Sequence, residues 1–156
     1  MRLRPYRSGD CPVLGELFRQ TVLGVNCRDY TPEQLAAWTG GADLAAWDRS
    51  FLLHTTLVAE AEDGAVVGFG DLDPNGGMEG SAYLDRLYVH RDHQGEGIAT
   101  ALCDALEGSV PGRRVLTPAS VTARPFFLRR GYRVLREQQV VRMGVTLTNF
   151  VMERLP

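Results

Sequence analysis

Two groups of residues have types and spacing suited to chemistry. The first is Gln94-Gly95-Glu96-Gly97-Ile98-Ala99-Thr100, which has two glycines and then small residues opening an apolar-periodic segment, Ile98, Leu102, Ala105 and Leu106. A glycine loop feeding a helix start presents free backbone N–H groups at the positive end of a helix dipole, an arrangement suited to phosphate. The second is Asp85, a carboxylate on the strand-like run Tyr83 to Val89 immediately upstream, where Tyr88 adds a phenol. A carboxylate can accept a proton and a phenol can donate one, so this pair suits acid–base work beside the phosphate loop.

The elements needed to position these groups are legible along the chain. Leu3 to Tyr6 reads as a first strand, and Asp10 as the cap of a helix to about Val22 with Pro12 in its first turn. Thr31-Pro32-Glu33-Gln34 is a capping box, so a second helix starts there and ends at Gly40-Gly41. Asp43 can cap a further short helix carrying Trp47. The period then changes. Thr56 to Glu60 and Val66 to Leu72 read as strands joined through Glu62-Asp63-Gly64, and Pro74-Asn75-Gly76-Gly77 turns into the strand from Ser81 to Val89. After the helix ending near Glu107 come a short strand, Val115 to Thr117, and a helix capped by Thr122 and stopped by Gly131. Two closing strands, Arg133 to Arg142 and Val145 to Glu153, turn at Met143-Gly144. This order predicts an α/β mixed sheet with helices on both faces, in one domain over residues 1–156.

Gln94-x-x-Gly97-x-Ala99 between a strand and a helix resembles the signature of the GNAT superfamily of acyl-CoA N-acyltransferases. Ser120 to Tyr132, with its helix and Gly131-Tyr132 pair, is similar to that superfamily's second segment. With Tyr30-Thr31-Pro32-Glu33-Gln34, Trp38 and the ending Thr148-Asn149-Phe150-Val151-Met152, the resemblance covers almost the whole chain and is closest to the YafP-like branch. It implies a mostly antiparallel central sheet of about seven strands with helices on both faces and two splayed parallel strands at its middle. It also implies an acetyl-CoA co-substrate and transfer of the acetyl group to a primary amine by direct attack.

Under that resemblance, amides of Gln94, Gly95, Glu96, Gly97, Ile98, Ala99 and Thr100 hold the pyrophosphate. The Leu87–Tyr88–Val89 strand pairs with the pantetheine arm opposite Val115 to Thr117, and Phe127 lies beside the cofactor. Asp85 is the candidate base, with Glu60, Asp71 and Asp73 as alternatives. A tyrosine is common where Phe127 stands, and phenylalanine has no proton to give. Tyr88 is therefore the candidate acid, with Tyr83, Tyr132, Ser120, water or unaided thiolate departure also open. Tyr30, Trp38 and Asp85 are expected to wall the acceptor pocket.

Rival readings attach to the same residues. Gly95-x-Gly97-x-Ala99 could be a dinucleotide fingerprint, but the next strand runs into Pro118 without the acidic residue that reading needs. A non-catalytic acyl-CoA-binding sensor is the alternative that Phe127 leaves open. Asp85 could be a surface carboxylate paired with Arg86, Tyr132 is expected in the core, and Cys103 reads as a small buried helix residue. His54, His90 and His93 lack metal-ligand spacing, so no metal is expected. A net charge of −2 without basic clusters argues against nucleic acid. No apolar run suggests a membrane span or a signal peptide, and the three cysteines, Cys11, Cys27 and Cys103, read as reduced thiols. A cytoplasmic enzyme acting on a small-molecule or protein amine is the expectation, with the terminal strands available to pair in a homodimer.

Overall fold

The computed structural model describes residues 1–156. Its elements are β1 (Arg2–Pro5), α1 (Cys11–Gly24), α2 (Pro32–Gly40), α3 (Leu44–Leu53), β2 (Thr55–Glu60), β3 (Val66–Asp73), β4 (Ala82–Val89), α4 (Ile98–Gly108), β5 (Val115–Ser120), α5 (Arg124–Arg129), β6 (Arg133–Arg142) and β7 (Val145–Arg154). The strands form one seven-stranded sheet in the order β1-β2-β3-β4-β5-β7-β6. All neighbours are antiparallel except β4 and β5, which run parallel. No helix is long and apolar enough to cross a membrane.

The sheet is covered on both faces. On the front, α1 and α3 bring Leu14, Phe18, Val22 and Phe51 onto Val58 and Phe69. On the back, Ile98 and Leu102 of α4 pack over Ala59 and Val67, while Leu106, Phe127 and Tyr132 join Leu72, Leu84 and Met152. Each large apolar side chain removed from water in these layers contributes about 1.5–3 kcal/mol. Gly68 and Gly70 of β3 let α4 sit close, since a Cβ would lie 2.9 Å from Ile98 and 3.0 Å from Leu106. The small strand residues thus set the height of the helix whose start forms the loop site.

Two irregularities shape the middle of the sheet. In the β3–β4 ladder Asp71 opposes Arg86 and Leu72 opposes Leu84, which leaves Asp85 as a bulge residue without a partner. The side-chain alternation of β4 slips there. Leu84 and Leu87 both pack with the back cluster, whereas Arg86 lies over Phe51 and Tyr88 packs edge-on against Phe18 at the front. The second irregularity is a fork. β4 and β5 pair only at Ala82–Val115 and Tyr83–Leu116. The Ala82 N–H donates to the Arg114 carbonyl, so the next rungs of a parallel ladder would call on the Pro118 N–H to meet the Leu84 carbonyl. Proline has no such donor, and the Thr117 hydroxyl takes that carbonyl instead at 2.9 Å. Beyond this point the two strands part.

Several local expectations need correction. Asp10 does not cap α1 with its side chain; its carboxylate is held by both Arg4 nitrogens at 2.8 Å and by the Arg7 N–H. Thr122 does not cap α5, because its hydroxyl donates to Asp29, and the Ala123 N–H is met by Ser120 Oγ. The short helix after Asp43 runs to Leu53, with Asp43 accepting from Ala45 and Ala46 as a cap should. β5 continues through Pro118 to Ser120, because β7 supports it on the side that does not need the proline N–H. The Thr31–Gln34 capping box forms as read.

Candidate active site

The loop after β4 turns through Arg91–His93 and reaches α4 by two left-handed glycines, Gly95 at φ 74° and Gly97 at φ 81°. That conformation suits glycine and turns successive amides to one side. Backbone N–H groups from Gln94 to Thr100 donate to no other group of the protein, and the first helical bond beyond them is Ala101 N–H to the Gly97 carbonyl. This row of free donors at the positive end of α4 is chemically fitted to a pyrophosphate. The side chains here are structural. The Gln94 amide donates to the Val89 carbonyl at 2.8 Å, Glu96 meets His93 at 3.1 Å, and Ile98 is buried beneath α4. Their contribution to a cofactor would come through the backbone.

At the fork, His90 donates its N–H toward β3, to the Val67 carbonyl, so Val89 and Leu87 turn their backbone groups toward the gap beside β5. The Val89 carbonyl is already engaged by Gln94 and by the Thr21 hydroxyl at 3.0 Å. An expected pantetheine rail therefore retains the Leu87 backbone and the Val89 N–H, not the Val89 carbonyl.

A cleft of about 1070 Å³ runs from this loop through the fork to the front helices. Asp85, Tyr88, Tyr30, Trp38 and Phe127 all line it, with Trp47 and Phe18 adding aromatic wall. The bulge turns Asp85 out of the ladder and into this space. Burial, reinforced by the Asp71 carboxylate, raises the Asp85 pKa above the usual carboxylate range, although Arg86 stands 3.3 Å away and opposes the rise. Arg86 is committed elsewhere. It donates to both Asp71 oxygens, at 3.0 and 2.6 Å, and to Ser50 at 2.6 Å, while stacking over Phe51. The pairing expected between Asp85 and Arg86 is thus secondary to a buried Arg86–Asp71 pair.

That pair extends to His54, whose Nδ1 lies 2.7 Å from Asp71, and Asp71 raises the His54 pKa despite burial. His54, Asp71 and Asp85 could bring one ligand atom each within 4.8 Å of one another. The Arg86 guanidinium already occupies the Asp71 oxygens, so the cluster is built around a resident cation. Among the alternative bases, Asp71 is fully buried in this network and Glu60 is paired with Arg2 and Arg4. Asp73 faces His54 Nε2 at 3.5 Å. None of the three lines the cleft.

The hydroxyl candidates separate by environment. Burial raises the Tyr88 phenol well above its ordinary value, so it stays protonated at neutral pH but is a weaker acid than a solvated phenol. Burial, with Asp85 nearby, pushes Tyr83 up to about 12. Tyr132 is in the core as read, donating to Glu107 at 2.7 Å. Ser120 Oγ accepts from the Ala123 N–H. Tyr30 is a wall residue with a committed hydroxyl: it donates to the Thr148 carbonyl at 2.6 Å and accepts from the Val121 N–H at 2.9 Å. Phe127 is 3% exposed and packs edge-on against Tyr132. Cys103 is fully buried, and that burial pushes its thiol up to about 12, away from nucleophile character. Sequence reasoning missed the His54–Asp71–Arg86–Ser50 network and the Thr117 latch, because their partners are far apart in the chain and follow no motif spacing.

A sheet forked at its central parallel pair, with an amide-lined helix start at the mouth of the fork, is the framework of an acyltransferase using an acyl-CoA donor. The chain belongs to the GNAT family of acetyltransferases: residues 26–154 match the family model described as Acetyltransferase (GNAT) domain. It is 30% identical over 156 residues to the Escherichia coli (strain K12) protein named "Uncharacterized N-acetyltransferase YafP", covering 100% of this chain and 97% of that one. Among solved structures it resembles a GCN5-related N-acetyltransferase from Rhodopseudomonas palustris, with a TM-score of 0.90, 32% identity and coverage of 99% and 95%. The fold is shared with the PaiA N-acetyltransferase of Thermoplasma acidophilum, at a TM-score of 0.78, 18% identity and coverage of 99% and 98%.

Proposed function

We propose that this enzyme moves an acetyl group from acetyl-CoA to the primary amine of a small molecule or protein by direct attack. The observation that carries the reading is the run of free N–H groups from Gln94 to Thr100 opening onto the β4–β5 fork. Support comes from relatives of the same fold: the Thermoplasma acidophilum protein was solved with coenzyme A and a Salmonella typhimurium protein, yncA, with acetyl-CoA.

In this reading the loop amides hold the pyrophosphate, and the Leu87 backbone with the Val89 N–H aligns the pantetheine arm. The amine enters from the aromatic wall of Trp38 and Tyr88 and attacks the thioester carbonyl. Asp85 takes the proton released as nitrogen acquires its fourth bond, and the carbon–sulfur bond then breaks. In the same reading Tyr88, a phenol lining the cleft, gives its proton to the departing thiolate. Each proton transfer typically contributes roughly 10²–10⁴-fold.

The test is thiol release with acetyl-CoA over a panel of amines, for wild type and Asp85→Asn. Turnover in the variant should fall about 100-fold or more with acetyl-CoA affinity retained. The acid limb of the wild-type profile should lie above the ordinary carboxylate range, in keeping with the raised Asp85 pKa. Equal turnover with an unchanged pH profile would remove Asp85 from the mechanism. Tight acetyl-CoA binding without thiol release on any amine would favour the acyl-CoA-binding role instead.

A further inference from the structure

The cleft wall formed by the β6–β7 hairpin carries information about the acceptor, and its interpretation rests on the transferase reading above. Gln138, Val140 and Arg142 occupy alternate positions of β6 and all line the cleft, together with Leu147 and Asn149 of β7. Asn149 stands between Ser120 of β5 and Gln138 of β6, while Arg142 pairs with Val145 at the tip. From the sheet outward this face therefore runs from amides, through two aliphatic side chains, to a cation.

Both polar ends lack protein partners suited to them. Asn149 Oδ1 is buried and accepts no hydrogen bond from the protein. The Arg142 guanidinium donates only to the adjacent Val141 carbonyl and meets no carboxylate. The other cleft arginines are placed differently. Arg86 is bound by Asp71, Arg28 donates to the Val25 carbonyl next to the Asp29–Thr122 contact, and Arg129 is on α5. The hairpin tip is seated on the front helices, with Met143 against Gly40 at the end of α2. Arg142, next to Met143 in the chain, lines the cleft. Asp85 lines it too, so the carboxylate and the cation belong to one cavity.

We propose that the acceptor is an amine that also carries a carboxylate-class anion, with its amine end directed to Asp85 and Asn149 and its anion held by Arg142. Arg142 is then a specificity-determining residue. An amine of this kind satisfies the orphaned amide oxygen with an N–H and the guanidinium with a bidentate anion. A neutral amine of the same length leaves the cation without a counter-charge.

The test compares matched pairs, amino acids against their amides at several amine-to-carboxylate spacings, in thiol-release kinetics with wild type, Arg142→Gln and Arg142→Lys. For at least one spacing, the acid form should exceed its amide by about tenfold or more in kcat/KM. In Arg142→Gln that ratio should collapse toward one through a higher KM, and Arg142→Lys should restore part of it. Equal kcat/KM for acid and amide at every spacing, or a preference that survives in Arg142→Gln, would overturn the proposal. If acetyl-CoA binds but no amine is turned over, quenching of tryptophan fluorescence by the same pairs on the coenzyme A-saturated enzyme decides it. Tighter binding of the acid form, lost in Arg142→Gln, upholds the anion site while the transfer reading fails; equal binding overturns both.

Discussion

Gly64 and Gly97 offer a controlled pair for testing the loop. Both have left-handed backbone, φ 84° and 81°, and a Cβ at either position meets no protein atom within 4 Å. Gly64 is in the β2–β3 hairpin and does not line the cleft, whereas Gly97 opens α4 on the cleft side. An L side chain held in this conformation costs about 1–2 kcal/mol, so Gly64→Glu and Gly97→Glu should each lower Tm by roughly 2–8 °C. Only Gly97→Glu brings a carboxylate to the loop amides. Like charges about 4 Å apart repel by about 1 kcal/mol in water and about 4 kcal/mol near a protein surface, or roughly 5-fold to several-hundred-fold in affinity. Acetyl-CoA titrated calorimetrically into both variants separates the effects: matched Tm losses, with weakened binding confined to Gly97→Glu. Comparable acetyl-CoA affinity in the two variants would refute the loop assignment.

Three further outcomes follow from the geometry. His54 has a folded pKa above its unfolded value of 6.5, so its stabilisation is fully present below about pH 6.5 and is lost as pH rises through the folded value. His54→Gln should therefore lower Tm more at pH 6 than at pH 9, and a loss independent of pH would exclude the Asp71 pairing as its source. Tyr30→Phe removes the bridge between the Thr148 carbonyl and the Val121 N–H, at a cost of about 1–3 kcal/mol. Denaturant unfolding of the variant measures that cost, and a change below a few tenths would mean the bridge contributes nothing. Gly70→Ala presses a methyl group toward Leu106 at 3.0 Å and the Arg86 carbonyl at 3.2 Å. Its overpacking should cost about 1–3 kcal/mol in a thermal melt, and an unchanged Tm would show that α4 can lift without penalty.

The Asp85 environment links stability to activity. Because burial raises its pKa, Asp85 binds a proton more readily in the folded chain than in the unfolded one. Stability therefore declines as pH rises from the unfolded value through the folded one. A carboxylate held ionised at neutral pH in this setting opposes folding, and the Arg86–Asp71–His54 network beside it fixes the strand that carries it.

Local chemistry made much of this protein readable from its residues. The Thr31–Gln34 capping box, the glycine loop opening α4 and the Met143-Gly144 turn depend on neighbours a few positions away, and these formed as read. The strand periods placed the strands, apart from the slip at Asp85 and the run of β5 on to Ser120. Of the donors from Gln94 to Thr100, those of Ile98, Ala99 and Thr100 belong to the same class, since a helix start frees its own first N–H groups. The tertiary structure decided whatever required distant partners. Asp10 and Thr122 had good capping chemistry, yet Arg4 and Asp29 took their side chains. The fork needed β5 laid beside β4 before the missing N–H of Pro118 could matter, and the slip at Asp85 became visible only against the register of β3. Asn149 and Arg142, unremarkable in the chain, became a polar wall and a cation lining the cleft once the hairpin seated on α2. Short-range hydrogen bonding and backbone freedom are written residue by residue, whereas competition for a side chain is settled by whichever partner the fold brings within reach.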